Sequence, residues 1–171
     1  RSHAIEKLIA KSISKSGIST ALIMAGQGGV KASTPKALIS ISGKSMLEHQ
    51  IDFLRDYGIT NIIVALDSEA EQVRQRFGDG RTYGVNIKYI TEETPMGTAG
   101  AIYLAKDYIE GSFVMLNVDT LMNPNIHDVY DFHRQHGKLA TVLLTTTDDP
   151  SRFGVVKMKG NQVTKFTEKP R

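Results

Sequence analysis

Segments with the apolar spacing of β-strands alternate along the chain with segments that have the apolar spacing of α-helices. Short apolar or alternating runs, typical of strands, cover residues 20–25, 37–41, 61–65, 85–90, 112–116, 140–145, 153–158 and 162–166. Segments with helical spacing or helix-start signals cover residues 45–57, 68–77, 98–109 and 125–136. Because strands alternate with helices, we expect βαβ units and a mainly parallel sheet.

Cap and turn residues sharpen two of these elements. Ser45 is a favoured helix N-cap, Glu48 stands three positions later, and Gly58 suits the end of the same helix. Gly160 and Asn161 separate the last two strands and predict a hairpin. The expected fold class is therefore α/β, a Rossmann-like three-layer α/β/α arrangement with a mostly parallel mixed sheet and an added β-hairpin.

The start of the chain differs from the rest. Apolar residues between Ile5 and Ile13 are at helical spacing, and Gly17 separates them from the first predicted strand. We expect residues 1–18 to be an N-terminal extension, either a short helix or a cloning remnant, and residues 19–171 to form one domain.

Composition narrows the class of protein. The chain has 171 residues, of which 40% are apolar and 23% charged, as in an ordinary soluble domain. It has neither an apolar run of transmembrane length nor the apolar core of a secretory signal, so we expect no membrane partner. The absence of cysteine excludes disulfides and thiolate chemistry, and fits the cytoplasm. The net charge of +3 comes from scattered Lys and Arg, which predicts no nucleic-acid partner. A small positive net charge is compatible with an anionic small substrate, and equally with an ordinary solvent-exposed surface of mixed charge.

A glycine-rich loop, Gly26-Gln27-Gly28-Gly29, follows the first predicted strand. Glycines let backbone N–H groups approach a phosphate without interference from a Cβ atom. The dinucleotide fingerprint would need a third glycine where Lys31 stands, and a Walker-type loop would need one where Leu38 stands. The loop is therefore either a different kind of phosphate site or a simple turn.

Open parallel sheets bind ligands beyond the carboxyl ends of their strands. The loops to consider here are therefore those that follow residues 25, 90, 116 and 145. Asp119 follows one such strand, where a carboxylate suits Mg²⁺ or merely a turn. Lys36 follows Pro35, which stiffens its backbone, and offers a cation to a polyanion or to solvent.

Short motifs follow one another in a particular order between residues 19 and 171. They are Ala25-Gly26-x-Gly28, Pro35-Lys36-Ala37-Leu38, Gly43-Lys44-x-Met46-Leu47-Glu48, Tyr57-Gly58-Ile59, Glu92-x-x-Pro95-x-Gly97-Thr98-Ala99-Gly100-Ala101, residues 113–120, Asp149-Pro150-Ser151-Arg152-Phe153-Gly154-Val155-Val156, and Phe166-Thr167-Glu168-Lys169-Pro170. In this order and spacing the chain resembles the sugar-1-phosphate nucleotidyltransferases, or sugar-nucleotide pyrophosphorylases. The glucose-1-phosphate thymidylyltransferases and mannose-1-phosphate guanylyltransferases are the members it resembles.

The resemblance implies an enzyme that joins a nucleoside triphosphate to a hexose 1-phosphate, with Mg²⁺ as cofactor, and releases pyrophosphate. It implies catalytic roles for Lys36 and Asp119, with Asp119 also the metal ligand. It implies the nucleotide-binding residues Ala25, Gly26, Gly28, Gly29, Glu92, Gly97 and Thr98. It implies the sugar-phosphate-binding residues Gly154, Glu168 and Lys169. Members of this family often assemble, so a homo-oligomer is possible.

Three departures from the family pattern stand out. The family loop continues as Gly-Thr-Arg, whereas this chain reads Gly28-Gly29-Val30-Lys31 and reaches Pro35 early. Either the loop is shortened, or a stretch of it is missing from the sequence. Val118 replaces the usual glycine before the metal-binding aspartate, where it would crowd the nucleotide sugar. The chain ends just after Glu-Lys-Pro, so we expect the domain to continue and to supply a second metal-binding aspartate.

Other classes of protein remain in view. A non-catalytic relative with a regulatory or scaffolding role would explain the missing arginine, but Lys36 and Asp119 oppose it. A metal-dependent glycosyltransferase would carry Asp-x-Asp, and this chain has Asn117-Val118-Asp119. A dehydrogenase is disfavoured by the glycine spacing.

Overall fold

The computed structural model describes residues 17–26, 34–67, 71–92 and 97–169. The chain divides into two compact units, the first ending at Gln135 and the second beginning at His136. The predicted N-terminal helix lies outside the described residues. In the part of the chain that is described, no helix is both long and apolar enough to cross a membrane.

Strands and helices alternate in the first unit, as their spacing predicts. Its strands are β1 (Thr20–Met24), β2 (Ser40–Ile41), β3 (Lys44–Ser45), β4 (Asn61–Asp67), β5 (Asn86–Glu92) and β6 (Val114–Asn117). Its helices are α1 (Met46–Asp56), α2 (Glu71–Phe77), α3 (Gly97–Ala105) and α4 (Ile126–His136), the last of which reaches the unit boundary. The second unit contains the strands β7 (Gly154–Lys159) and β8 (Gln162–Glu168).

The central sheet of the first unit has four strands in the order β5-β4-β1-β6, and every pairing is parallel. Met24 at the end of β1 stands level with Ala65 on β4 and Asn117 on β6. The carboxyl ends of the four strands therefore lie along one edge. The prediction of a mainly parallel sheet is confirmed, and the β2–β3 and β7–β8 pairs form separate antiparallel hairpins.

Helices cover both faces of this sheet. One core cluster joins sheet residues such as Ile23 and Val64 to the buried side of α1 and α2, with Ile126 of α4. The other joins Leu22 and its neighbours to α3. Successive strand residues point to opposite faces, so nearly every position of β1 and β4 is buried. The predicted three-layer arrangement is confirmed.

Helix α1 begins and ends where its cap residues predict. Ser45 Oγ accepts a hydrogen bond from the Glu48 N–H at 3.4 Å, and the Glu48 carboxylate accepts one from the Ser45 N–H at 2.7 Å. This capping box satisfies two donors that the helix itself cannot. Gly58, with φ of 74°, ends the helix and donates its N–H to the Arg55 carbonyl at 2.8 Å.

Two predicted strands are wrong. Residues 37–41 form a 3₁₀ turn, Lys36–Leu38, and only the two-residue strand β2, because the chain reverses at Ser42-Gly43, where both φ angles are positive. Residues 140–145 form no strand. Val142, Leu143 and Leu144 are exposed, and no strand among the described residues pairs with this segment. An apolar run becomes a strand only where a neighbour takes up its backbone N–H and C=O groups.

The predicted final hairpin is confirmed as β7 and β8. The strands pair antiparallel around Gly160, which has φ of 57° and stands at the turn. The register shifts between Lys157 and Met158, as at a β-bulge. Met158, Val163 and Phe166 on these strands are exposed.

We expect Asp52→Asn to destabilise the folded chain at neutral pH. Asp52 accepts from Lys44 Nζ at 2.5 Å and from Arg55 at 2.6 Å, and the Lys44 hydrogen bond is the main cause that lowers the pKa of Asp52. The loss should be about 0.5–1 kcal/mol at pH 7, measured by urea denaturation. Because the pKa lies below its ordinary 3.8, this stabilisation is complete above that pH and is lost on further acidification.

Asp56→Asn is the matched control for this experiment. Asp56 is an exposed carboxylate at the last position of the same helix, where it opposes the helix dipole. Its removal should leave the free energy of unfolding unchanged or slightly raised. An Asp52→Asn deficit that is as large at pH 3 as at pH 7 would contradict the ion-pair explanation.

Candidate functional site

The end of β1 leads directly into the glycine-rich loop. Ala25 is buried and donates its N–H to the Ala65 carbonyl at 2.9 Å, which continues the ladder one residue past the strand. A Cβ atom on Gly26 would lie 3.8 Å from the Asp67 backbone nitrogen and 3.9 Å from Glu92 Oε2. Gly26 therefore stands beside the ends of β4 and β5. Gly28 and Gly29 lie outside the described residues, as does the loop position of the missing arginine.

Glu92, the last residue of β5, carries an unusual oxygen. Its Oε1 is buried and has no hydrogen-bond partner among the described residues. An unpaired buried carboxylate oxygen costs free energy, so this atom is an acceptor that a donor on a ligand would satisfy. Gly97, with φ of 68°, and Thr98 begin α3, and both are exposed.

Lys36 and Asp119 meet although they are 83 positions apart in sequence. Lys36 Nζ donates to Asp119 Oδ2 at 2.8 Å, and the two side chains are 42% and 48% exposed. The 3₁₀ turn presents the lysine, and the segment after β6 presents the aspartate. Tertiary structure thus brings together the two residues that the resemblance marks as catalytic, at an edge that is open to solvent.

Asp119 stands in a turn that is tied to the sheet. The Thr120 N–H bonds to the Asn117 carbonyl at 3.2 Å, and the Val118 N–H bonds to the Met24 carbonyl at 2.9 Å. The Val118 side chain is 1% exposed and belongs to the core cluster under α1. Contrary to the expected crowding of the nucleotide sugar, Val118 points into the protein interior and anchors the turn.

Gln50 is a residue of this region that the sequence patterns do not identify. It lies on α1, is 2% exposed, and donates from Nε2 to the Thr120 carbonyl at 2.6 Å and to the Asn117 carbonyl at 3.4 Å. The only signal in the sequence is a polar residue in the apolar row of the helix, between Leu47 and Leu54.

The described residues contain no group of three or more His, Cys, Asp or Glu side chains that would hold a metal ion by themselves. Asp119 is a half-exposed carboxylate at this edge, beside Lys36. Mg²⁺ is commonly bound through one or two carboxylates, with substrate phosphates and water completing its six oxygens. A half-exposed single aspartate fits that pattern and does not fit an all-protein metal cage.

The expected sugar-phosphate residues lie together on the second unit. Gly154 pairs with Glu168 across the hairpin, and the Lys169 N–H bonds to the Phe153 carbonyl at 3.0 Å. Lys169 has φ of 41°, rare for a residue with a side chain, and its Nζ lies 3.9 Å from Glu168 Oε1. A Cβ atom on Gly154 would overlap Phe166 Cζ, so the exposed Phe166 ring would have to move to admit a side chain there.

The chain matches the nucleotidyl transferase family over residues 20–171. Mannose-1-phosphate guanyltransferase of Saccharomyces cerevisiae is 32% identical over 162 residues, which cover 88% of this chain and 45% of the yeast protein. The chain therefore spans less than half the length of this relative.

Solved structures agree with the sequence match. A Bacillus anthracis protein assigned as a glucose-1-phosphate thymidylyltransferase, in complex with sucrose, has a TM-score of 0.79 and 26% identity, covering 90% of this chain and 65% of that one. HddC from Yersinia pseudotuberculosis complexed with GMP-PN has a TM-score of 0.69 and 27% identity, covering 90% and 70%. The fold class predicted from the residues is confirmed by these likenesses.

We expect Val118→Ala to destabilise the chain by about 1–3 kcal/mol, because it removes two buried methyl groups and leaves a cavity. Thermal and urea denaturation measure the loss. Val142→Ala, at an exposed position, should change stability little. If Val118→Ala left stability unchanged, the anchoring role of Val118 would be wrong.

Proposed function

Because the chain belongs to the nucleotidyl transferase family, we propose that it transfers a nucleotidyl group from a nucleoside triphosphate to a hexose 1-phosphate. The products are an NDP-sugar and pyrophosphate. The observation that carries the proposal is the Lys36–Asp119 pair at the carboxyl edge of the parallel sheet, where such sheets bind ligands. The named activity of the yeast relative agrees with it.

The reaction needs positive charge more than it needs a base. A phosphate oxygen of the sugar phosphate attacks the α-phosphorus, a P–O bond forms, and the bond from that phosphorus to the bridging oxygen breaks as pyrophosphate leaves. The attacking oxygen is already anionic at neutral pH, so no side chain must remove a proton. Two polyanions must instead be brought together, and fixed cations lower that electrostatic cost. Lys36 is the cation for the triphosphate in this proposal.

Asp119 would hold Mg²⁺ in this proposal, with triphosphate oxygens and water as the other ligands. When bound, Mg²⁺ offsets the negative charge of the phosphates. Lys36 contacts Asp119 Oδ2 in the free chain, which leaves Oδ1 for the metal and two ammonium N–H groups for the triphosphate.

Lys169 and Glu168 would bind the sugar phosphate in this proposal. Lys169 supplies an ammonium group for the phosphate, and Glu168 supplies acceptors for sugar hydroxyls. Both side chains are well exposed, 67% and 63%, so a ligand reaches them without rearrangement of the hairpin. Gly154 stands opposite Glu168 on the paired strand.

We further propose that the preferred base is guanine and that Glu92 recognises it. Guanine presents two adjacent donors, N1–H and the N2 amino group, which match the two oxygens of one carboxylate. Uracil and thymine present a single N3–H donor between two carbonyl acceptors, which a carboxylate would repel. Glu92 supports this choice, because its buried Oε1 has no hydrogen-bond partner among the described residues and its Oε2 lies near Gly26.

The cellular setting completes the proposal. A chain without cysteine suits the reducing cytoplasm, where triphosphates and sugar phosphates are abundant. We also propose that the protein assembles into a homo-oligomer, because members of the family often do so.

Pyrophosphate release tests the proposed reaction. The protein is incubated with Mg²⁺, each common triphosphate in turn, and mannose or glucose 1-phosphate. Release should require both substrates and Mg²⁺, and Asp119→Asn should lower kcat on the order of 100-fold while circular dichroism stays unchanged. Asp131→Asn, at an exposed position on α4, is the matched control and should retain full activity.

Two results would count against this function. If no combination of triphosphate and sugar phosphate released pyrophosphate, the chain would be no transferase. Nucleotide binding without release would favour the non-catalytic alternative. Full activity of Asp119→Asn would remove Asp119 from the catalytic centre.

Glu92→Gln tests the choice of base. Glutamine offers one acceptor and one donor, which matches the N3–H and O4 edge of uracil or thymine better than guanine. The ratio of kcat/KM for GTP to that for dTTP should fall about tenfold or more. Glu110→Gln makes the same chemical change at an exposed position just before β6, near the amino ends of the parallel strands, and should leave the ratio unchanged. A wild-type chain that prefers dTTP or UTP would overturn the guanine assignment.

A further inference from the structure

We propose that Gln50 is a positioning residue, whose side-chain amide holds the turn that carries Asp119. The inference rests on the proposed function, because Asp119 is the residue to which that function assigns Mg²⁺. Gln50 itself is buried under the turn and touches neither substrate nor metal in this proposal.

The burial of Gln50 calls for a reason. The residue occupies a core position of α1, in one row with Leu47, Ile51 and Leu54, all of which are fully buried. A primary amide moved from water into such surroundings costs about 1–3 kcal/mol unless its polar atoms find partners. Leucine or methionine would satisfy packing there at lower cost. The amide must therefore contribute something that an apolar side chain cannot.

The contacts of the amide show what it contributes. Nε2 donates to the Thr120 carbonyl at 2.6 Å and lies 3.4 Å from the Asn117 carbonyl. These two carbonyls lie at the ends of the four-residue turn that contains Val118 and Asp119, which the Thr120 N–H to Asn117 bond closes. One side-chain nitrogen thus ties both ends of the turn to the helix.

The same helix also holds the lysine side of the pair. The Met46 N–H at the start of α1 bonds to the Ile39 carbonyl at 2.9 Å, and the Ile39 N–H bonds to the Lys36 carbonyl at 3.2 Å. The first turn of α1 therefore fixes the segment of Lys36, and Gln50, one turn later, fixes the segment of Asp119. The 2.8 Å contact between the two side chains depends on both attachments.

A positioning role has a particular consequence for metal binding. A single carboxylate that shares a cation with substrate oxygens must be held where those oxygens arrive, because Mg²⁺ tolerates little departure from octahedral geometry. Replacing a residue that orients a metal ligand through a hydrogen bond typically lowers metal affinity 10–100-fold. Loss of the Gln50 amide should therefore weaken metal binding without removing any ligand.

The test compares Gln50→Met with Tyr57→Phe. Methionine keeps the length of glutamine and suits the apolar row, so the fold should survive. Tyr57→Phe is the control, since it removes another hydrogen bond from the C-terminal end of α1 to the same connection, at the Pro124 carbonyl, 3.1 Å away and outside the turn. Binding of Mn²⁺ alone is measured by water proton relaxation, with Asp119→Asn to identify the site. Pyrophosphate release is measured in parallel.

Gln50→Met should raise the dissociation constant for Mn²⁺ about tenfold and lower kcat, with KM for the sugar phosphate unchanged. Tyr57→Phe should match the wild type in all three quantities. If Gln50→Met does not fold by circular dichroism, Gln50→Asn takes its place, since its shorter side chain withdraws the amide from the Thr120 carbonyl. The same loss of Mn²⁺ affinity is expected from it.

The outcomes separate this inference from the proposed function. Wild-type Mn²⁺ affinity in the Gln50 variant, or an equal loss in Tyr57→Phe, overturns the positioning role even if the wild type is active. If the wild type releases no pyrophosphate, but both Asp119→Asn and the Gln50 variant bind Mn²⁺ more weakly than the wild type, the proposed function is overturned and the positioning role stands. If Asp119→Asn binds Mn²⁺ as tightly as the wild type does, the inference is overturned.

Discussion

The site depends on the position of β1, which is hydrogen-bonded in parallel to β4 on one side and to β6 on the other. This double ladder sets Gly26 beside Glu92 and holds Val118, and with it Asp119, through the Met24 carbonyl. A slip of one residue would turn the buried positions of β1 to the wrong faces, so both core clusters resist it. The geometry of the polar edge is therefore enforced by apolar side chains beneath it.

Helix α1 converts this stable sheet into a defined arrangement of charges. Its capping box fixes where it starts, and its apolar row fixes which side faces the sheet. Gln50 is the exception in that row, and its amide reaches the one turn whose aspartate faces Lys36. The exposed charged side chains of the site are therefore held in place by a buried polar side chain. Such an arrangement keeps the mobile parts of a site few.

Sequence periodicity predicted most elements because each one buries a single face or two faces at its own spacing. It was wrong for residues 140–145, whose apolar residues stay exposed, and for residues 37–41, where two positive φ angles at Ser42-Gly43 cut the strand short. The resemblance to the family, through the motifs around them, implied roles for Lys36 and Asp119 separately. The polar side chain of Gln50 in an apolar row is a signal in the sequence, but it does not tell which segment the side chain holds.

The sequence by itself determined the order of strands and helices, the caps of α1 and the membership of the family, because spacing, cap residues and ordered motifs are properties of neighbouring positions. Only the tertiary structure decided that Val118 faces the core rather than a ligand, that Glu92 keeps a buried oxygen without a partner among the described residues, and that Gln50 reaches the turn of Asp119. Those facts depend on atoms from strands and helices far apart in the chain. They arise only when burial of the apolar faces brings the ends of the strands to one edge.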